Sequence, residues 1–226
     1  MAEKVARVTS RVEVAPNVLV LEATMLEPKT MDYQAGQFIS IRIDERGDVR
    51  RSYTMTSPPT RRDGFELLVK LVPGGAASGH FGAMQPGAEL HFTGPMGFFT
   101  IDAAHAGDHV VAATGAGIAA ALPMAQTIPA RSRLLWAVRK DDELYWHDRL
   151  AALTWEAVIP PSGDWPAAHQ LLADRCADLL GALHDPIFYL VGNGDMTRVV
   201  RDRLVALGVD RRKRIRNEIF YPVMEP

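Results

Sequence analysis

The chain has 226 residues, of which 47% are hydrophobic and 23% charged, with a formal net charge of −2. That is enough apolar material for one large core or two small ones, and the composition excludes disordered and fibrous classes. A nearly neutral balance gives no global field that would favour nucleic acid or anionic lipid.

Read in chain order, the N-terminus MAEKVARVTSRVEV alternates apolar and polar residues and lacks the apolar core of a signal peptide. Strands are predicted over Val5–Val14, Val18–Glu22, Gln37–Ile43, Phe65–Val72 and Glu89–Phe92, each rich in Val, Ile or Leu. Turn residues at Pro16-Asn17, Gly47-Asp48 and Gly64 separate them, a spacing that indicates an antiparallel barrel or sandwich. The segment Asp102–Gly107 reads as a small polar link, dividing a first domain (1–103) from a second (104–226). Beyond it, strands His109–Thr114, Arg133–Val138, Glu156–Pro160, Pro186–Val191 and Ile215–Phe220 alternate with helices. Those helices are predicted over Ile118–Gln126, Asp141–Leu153, Ala167–Leu183 and Asp195–Leu207. Strand–helix alternation with short connections implies a parallel sheet covered on both faces. The Ala-rich run near Ala112 is broken by Gly and Pro, so no bilayer span is predicted and the cytoplasm is the expected compartment. Cys176, the only cysteine, falls in the third helix as a buried thiol. One cysteine permits neither an intramolecular disulfide nor a four-thiolate iron–sulfur cluster built within this chain. Any redox centre held here is therefore a non-covalent organic cofactor.

Five short segments carry the chemistry. Thr114-Gly115-Ala116-Gly117-Ile118-Ala119-Ala120 follows a strand and opens a helix, where glycines admit a pyrophosphate and the helix start donates N–H groups. Val191-Gly192-Asn193-Gly194-Asp195-Met196 repeats that arrangement at another strand end, or is a plain turn with Asp195 as helix cap. Arg51-Ser52-Tyr53-Thr54 offers a guanidinium, an aromatic and two hydroxyls to a phosphate and a planar ring, or is a solvated β face. Pro73-Gly74-Gly75-Ala76-Ala77-Ser78 offers a second phosphate cradle with a helix start at Ser78. Gly94-Pro95-Met96-Gly97 reads locally as a turn. The seven histidines form no metal-ligand spacing and the hydrolase elbow G-x-S-x-G is absent, so no metal site is predicted.

Taken in order, RSYT, GGAAS, GPMG, TGAGIA and VGNGDM resemble the ferredoxin–NADP reductase superfamily from about Val5 to Pro222. The resemblance implies a Greek-key antiparallel β-barrel that binds FAD, followed by an α/β domain with a five-stranded parallel sheet that binds the nicotinamide dinucleotide. It implies that Arg51 and Ser52 meet the FAD pyrophosphate side, Tyr53 packs on the flavin, and Thr54 hydrogen-bonds near flavin N5. Gly74, Gly75 and Ser78 cradle the FAD phosphates, and Gly94–Gly97 shape the cleft between the domains. Thr114, Gly115 and Gly117 lie under the dinucleotide, with Gly192, Asn193, Gly194, Asp195 and Met196 at its nicotinamide end. Glu218 is a candidate for proton handling or nicotinamide contact and Phe220 for the flavin cover, against a last strand whose aromatic fills the core. Two residues depart from the family pattern: Ala120 where Pro is common, and Val191 where Cys is usual.

The implied activity is hydride transfer between a nicotinamide coenzyme and FAD, coupled to one-electron exchange with a ferredoxin, flavodoxin or oxygenase component. Two alternatives are a flavin, quinone or ferric reductase with a small-molecule acceptor, and an FAD-bearing subunit of a larger complex. Arg139-Lys140, at the end of the second α/β strand, favours NADP(H) over NAD(H), because a cation there suits a 2′-phosphate. The run Arg211-Arg212-Lys213-Arg214, with Arg216, can steer an acidic partner or is a solvated turn, and Arg61-Arg62 is a weaker signal of the same kind.

Overall fold

A computed structural model describes residues 2–44 and 49–220, so the turn expected at Gly47-Asp48 and the tail residues Tyr221 and Pro222 lie outside the described residues. The chain divides into two compact units, Met1–Thr100 and Ile101–Pro226.

The first unit is a six-stranded antiparallel sheet made of β1 (Lys4–Ala15), β2 (Val18–Glu27), β3 (Phe38–Arg42), β4 (Arg50–Thr54), β5 (Gly64–Lys70) and β6 (Glu89–Met96). The strand order is β4-β3-β6-β1-β2-β5. A bridge between Met55 and Leu67, with Thr56 N–H donating to the Glu66 carbonyl at 2.9 Å, joins the two ends and closes the sheet into a barrel. Its interior follows from the period of two along a strand. Leu19, Leu21 and Ala23 of β2 face Val69, Leu67 and Phe65 of β5 in register, and all six are fully buried. The same alternation carries on through Met25, which is why β2 extends past the predicted end at Glu22. Gly94-Pro95-Met96, expected as a turn, instead ends β6. Gly94 has φ +139, and a Cβ there would stand 3.1 Å from Ile39 Cγ2, so glycine lets β6 lie close over β3. Helix α1 (Ala76–Ala83) begins two residues before the expected Ser78 and buries Ala77 and Phe81 in the barrel core.

The second unit is a parallel sheet of β7 (His109–Thr114), β8 (Ser132–Ala137), β9 (Trp155–Val158), β10 (Ile187–Gly192) and β11 (Ile215–Ile219), in the order β11-β10-β7-β8-β9. Every residue of β7 and β10 is buried, as a central parallel strand packed on both faces requires. Helices α2 (Ile118–Thr127), α4 (Trp165–Ala182) and α5 (Gly194–Ala206) connect the strands. Asp164 caps α4 by accepting from Ala167 N–H at 2.8 Å, which starts that helix ahead of the predicted Ala167.

The helix predicted over Asp141–Leu153 does not form. In its place stand one 3₁₀ turn, Asp141–Glu143, and the four-residue α3 (His147–Leu150). Tyr145 is drawn into the core against the edge of Trp136, with ring centroids 4.9 Å apart, and Trp146 takes the left-handed φ of 63° that this demands. A continuous helix cannot accommodate that conformation. The basic run forms a further short helix, α6 (Arg211–Arg214), capped by the Asp210 carboxylate on the N–H groups of Arg212 and Lys213. Among the described residues no helix is long and apolar enough to cross a membrane.

The second sheet has a switch point. From β7 the chain proceeds to β8 and β9 on one side, then returns to build β10 and β11 on the other. Ligands of open α/β sheets bind where the strand order reverses, outside the carboxyl ends of the strands.

Candidate functional site

Both glycine turns of the α/β unit sit at that switch point, one at the end of β7 and one at the end of β10. They are keyed to each other. A Cβ on Gly117 would stand 2.4 Å from the Val191 carbonyl oxygen, and one on Gly192 (φ +130) would stand 2.3 Å from Thr114 Oγ1. Thr114 Oγ1 in turn accepts from Asn193 N–H at 3.0 Å. Gly117 and Gly192 therefore permit close backbone packing between neighbouring strand ends. Gly115 differs: its φ is +49, and a Cβ there would find only the rim of Trp165, 3.5 Å away. The Gly115 carbonyl accepts from Trp136 Nε1 at 3.0 Å, which anchors the turn from below.

The β10 turn resolves into distinct roles. Asn193 caps α5, its side-chain oxygen accepting from Asp195 N–H at 2.7 Å and Met196 N–H at 3.4 Å. Asp195 is thus in the first helical turn, exposed, and paired with Arg198 at 3.5 Å. Gly194 opens α5 beside Ile219. Met196, expected at the nicotinamide end, is fully buried in the same apolar cluster as Leu190, Val200 and Leu204, beneath the turn. Strand β11 runs alongside: Glu218 is in register with Val191, Ile219 with Gly192, and Phe220 N–H donates to the Gly192 carbonyl at 2.8 Å. The structure thus brings Glu218 and Phe220 to the Gly192 turn. Glu218 is half-buried, and desolvation raises its carboxyl above the usual carboxylate range. Val191 and Ala120 are both fully buried.

Arg139 follows β8, and its guanidinium does not extend freely. It forms an ion pair with Glu143, Nε reaching Oε1 at 3.0 Å, while Glu143 Oε2 accepts from Arg139 N–H at 2.9 Å. The Arg139 guanidinium carbon lies 5.4 Å from the centre of the Trp165 ring, the same ring that borders Gly115. Glu143, Trp165 and Trp136 were not legible as site residues. Trp136 had one signal, since a buried indole N–H must find an acceptor.

In the barrel unit, Arg51 and Tyr53 are half-buried on β4, Ser52 is exposed and Thr54 is buried. Tyr53 meets Phe81 of α1 edge to face at 4.8 Å, which packs the RSYT strand against the helix that the GGAAS segment opens. Burial pushes the Tyr53 phenol up to about 12, against the opposing charge of Arg51, so it stays a neutral donor at physiological pH. Gly74 takes φ +78 in the turn before α1 and Gly75 is its N-cap. Ser78 Oγ accepts from Val72 N–H at 2.7 Å, which closes the turn and leaves the hydroxyl hydrogen for a second partner. A helix start has N–H donors without intrahelical acceptors, and Arg51 adds a guanidinium, so this donor set suits a diphosphate.

Residues 5–101 match the family of oxidoreductase FAD-binding domains. Over 233 aligned residues the chain is 28% identical to ferredoxin–NADP reductase B of Sorangium cellulosum, covering 92% of this chain and 93% of that one. Over most of its length the chain is similar to ferredoxin–NADP reductases, and its first half carries an oxidoreductase FAD-binding domain. It is also 29% identical to reductase component 2 of terephthalate 1,2-dioxygenase from Comamonas, covering 90% of this chain but only 64% of that relative's length. The ferredoxin NADP⁺ reductase of Neisseria gonorrhoeae, solved with FAD and NADP bound, has the same fold with a TM-score of 0.80, at 22% identity and covering 98% of this chain and all of that one. The two sheets, one antiparallel and one parallel, are the architecture the resemblance implied.

Proposed function

We propose that the chain is a flavoenzyme that oxidises a nicotinamide coenzyme and passes electrons singly to a protein partner, with FAD on the barrel unit and the coenzyme on the α/β unit. The observation that carries this reading is the pairing of the two glycine turns at the switch point of the parallel sheet, in a chain whose other half matches an FAD-binding domain. FAD, when bound, supplies the exchange between two-electron and one-electron chemistry. The protein's share is to bind and orient. Arg51, Ser52, Gly74, Gly75 and Ser78 hold the FAD phosphates, while Tyr53 and Thr54 present a ring face and a hydroxyl to the flavin. Thr114, Gly115 and Gly117 receive the dinucleotide, and the turn from Gly192 to Asp195 flanks its nicotinamide end with Met196 as support. Glu218 contacts the nicotinamide or moves a proton, and Phe220 covers the flavin.

NADP(H) is the proposed coenzyme, with Arg139 meeting the 2′-phosphate. The proposed partner is a ferredoxin, a flavodoxin or an oxygenase component, in keeping with the names of the relatives. The lone cysteine supports a separate acceptor, because Cys176 is fully buried and its thiol is raised by burial. Arg211, Arg212 and Lys213 are exposed and form the proposed steering surface. Arg214 and Arg216 are tied to Asp185 at 2.6 Å and Asp102 at 2.9 Å, and Arg61 and Arg62 to Glu22 and Asp32. The cytoplasm is the proposed compartment, on composition alone. Steady-state NADPH oxidation by the FAD-loaded protein tests the acceptor. Reduction of a ferredoxin or flavodoxin supports the reading; fast turnover on free flavin or chelated iron with no protein acceptor reduced replaces it.

A further inference from the structure

Two kinds of group discriminate nicotinamide coenzymes at the end of the second strand of a dinucleotide-binding sheet. An acidic side chain accepts from a ribose 2′-hydroxyl, and an arginine accommodates a 2′-phosphate. This chain has both, in contact with each other. Arg139 and Glu143 are joined by the side-chain ion pair and by the Arg139 N–H donating to Glu143 Oε2 at 2.9 Å. The Trp165 ring lies 5.4 Å from the Arg139 guanidinium carbon on one side and 3.5 Å from a Cβ built on Gly115 on the other. The pair therefore stands one ring's width from the glycine turn that the coenzyme reading uses. Glu143 belongs to the 3₁₀ turn that replaces the predicted helix, so the same break in helical structure returns its carboxylate to Arg139.

We infer that Glu143 sets the coenzyme ratio: it competes with a 2′-phosphate for Arg139 and so limits the preference for NADPH over NADH. This rests on the assignment of the coenzyme to the α/β unit. A 2′-phosphate approaching Arg139 meets a guanidinium already neutralised and a carboxylate of its own sign. Replacing that carboxylate by an amide of the same shape removes the repulsion and leaves Arg139 beside Trp165. The coenzyme without the phosphate meets no such competition and is indifferent to the change.

Calorimetric titration of the FAD-reconstituted protein with adenosine 2′,5′-bisphosphate and with 5′-AMP tests this without turnover. In Glu143→Gln, the bisphosphate is expected to bind about tenfold tighter, the effect of roughly one charge-assisted hydrogen bond, while 5′-AMP changes less than about twofold. In Arg139→Ala, adding Glu143→Gln recovers little of that gain. Glu143→Asp, one methylene shorter, serves if the glutamine variant folds poorly, and a gain of intermediate size is expected. Unchanged or weaker bisphosphate binding in both Glu143 variants overturns the inference, leaving Glu143 a positioning residue for Arg139. If the wild type binds neither nucleotide, the coenzyme assignment itself falls and the inference with it.

Discussion

At the residue scale, the glycines of the two turns have separable tasks, and mutation distinguishes them. Gly117→Ala and Gly192→Ala would drive a Cβ into backbone or Thr114 at 2.4 and 2.3 Å. Each is expected to cost roughly 2–4 kcal/mol of stability, read as a fall in thermal midpoint, because neither strand end can retreat. Gly115→Ala meets only the edge of Trp165 and costs about 1 kcal/mol for its left-handed φ, but weakens coenzyme binding, read by titration with NADPH. Equal stability losses at all three positions would contradict the division. Arg139→Ala is expected to raise KM for NADPH about tenfold and leave KM for NADH nearly unchanged, as steady-state kinetics would show. Equal effects on the two would remove Arg139 from coenzyme recognition. On the α/β unit, His109 is fully buried with no hydrogen bond from either ring nitrogen among the described residues, and burial, with the charges of His105 and Arg131, lowers its pKa to about 4 against the pull of Asp102 and Asp108. The folded protein therefore keeps His109 neutral where the unfolded chain, titrating near ~6.5, binds a proton. Its contribution is complete above about pH 6.5 and is lost as pH falls toward 4. Thermal midpoints of wild type and His109→Phe across that window check this: the wild type should lose more stability with acid, and parallel slopes would contradict it.

At the element scale, most of the architecture was legible because burial follows period. Strand β2 sets its most deeply buried residues, Leu19, Leu21, Ala23 and Met25, two apart, whereas β7 and β10 are buried without interruption, so antiparallel and parallel sheets declare themselves differently. The segment after β8 was not legible. Asp141-Asp142 resembles a helix start, yet Tyr145 docks edge-on against Trp136 of the preceding strand. Such a contact has no local signature. The plain-turn alternative put the helix cap on Asp195, whereas Asn193 is the cap: either side chain can cap a helix, and the Thr114 hydroxyl, which holds Asn193 N–H, decides between them. At Ser78, expected from the sequence to cradle a phosphate, the hydroxyl closes the Val72 turn. Ser78→Ala is accordingly expected to lower both FAD affinity and, by about 1 kcal/mol, stability, whereas Arg51→Ala lowers FAD affinity alone. Loss of stability without loss of FAD binding in Ser78→Ala would confine that serine to the turn.

At the scale of the whole molecule, the proposed reading assigns one cofactor to the antiparallel barrel and one to the parallel sheet, and it calls for no catalytic side chain of unusual reactivity. The only thiol is buried, and among the described residues no group of three or more His, Cys, Asp or Glu is placed to hold a metal ion. On the proposed reading, binding, orientation and electrostatics are what the two sites provide, because the chemistry would reside in the cofactors. The most direct test of this account is an anaerobic absorbance spectrum of the FAD-reconstituted chain, titrated with NADPH and then NADH. Retention of the flavin through gel filtration, with its visible bands bleached by NADPH at lower concentration than by NADH, is the result expected. A protein that cannot retain FAD, or a flavin that neither coenzyme reduces, would contradict it.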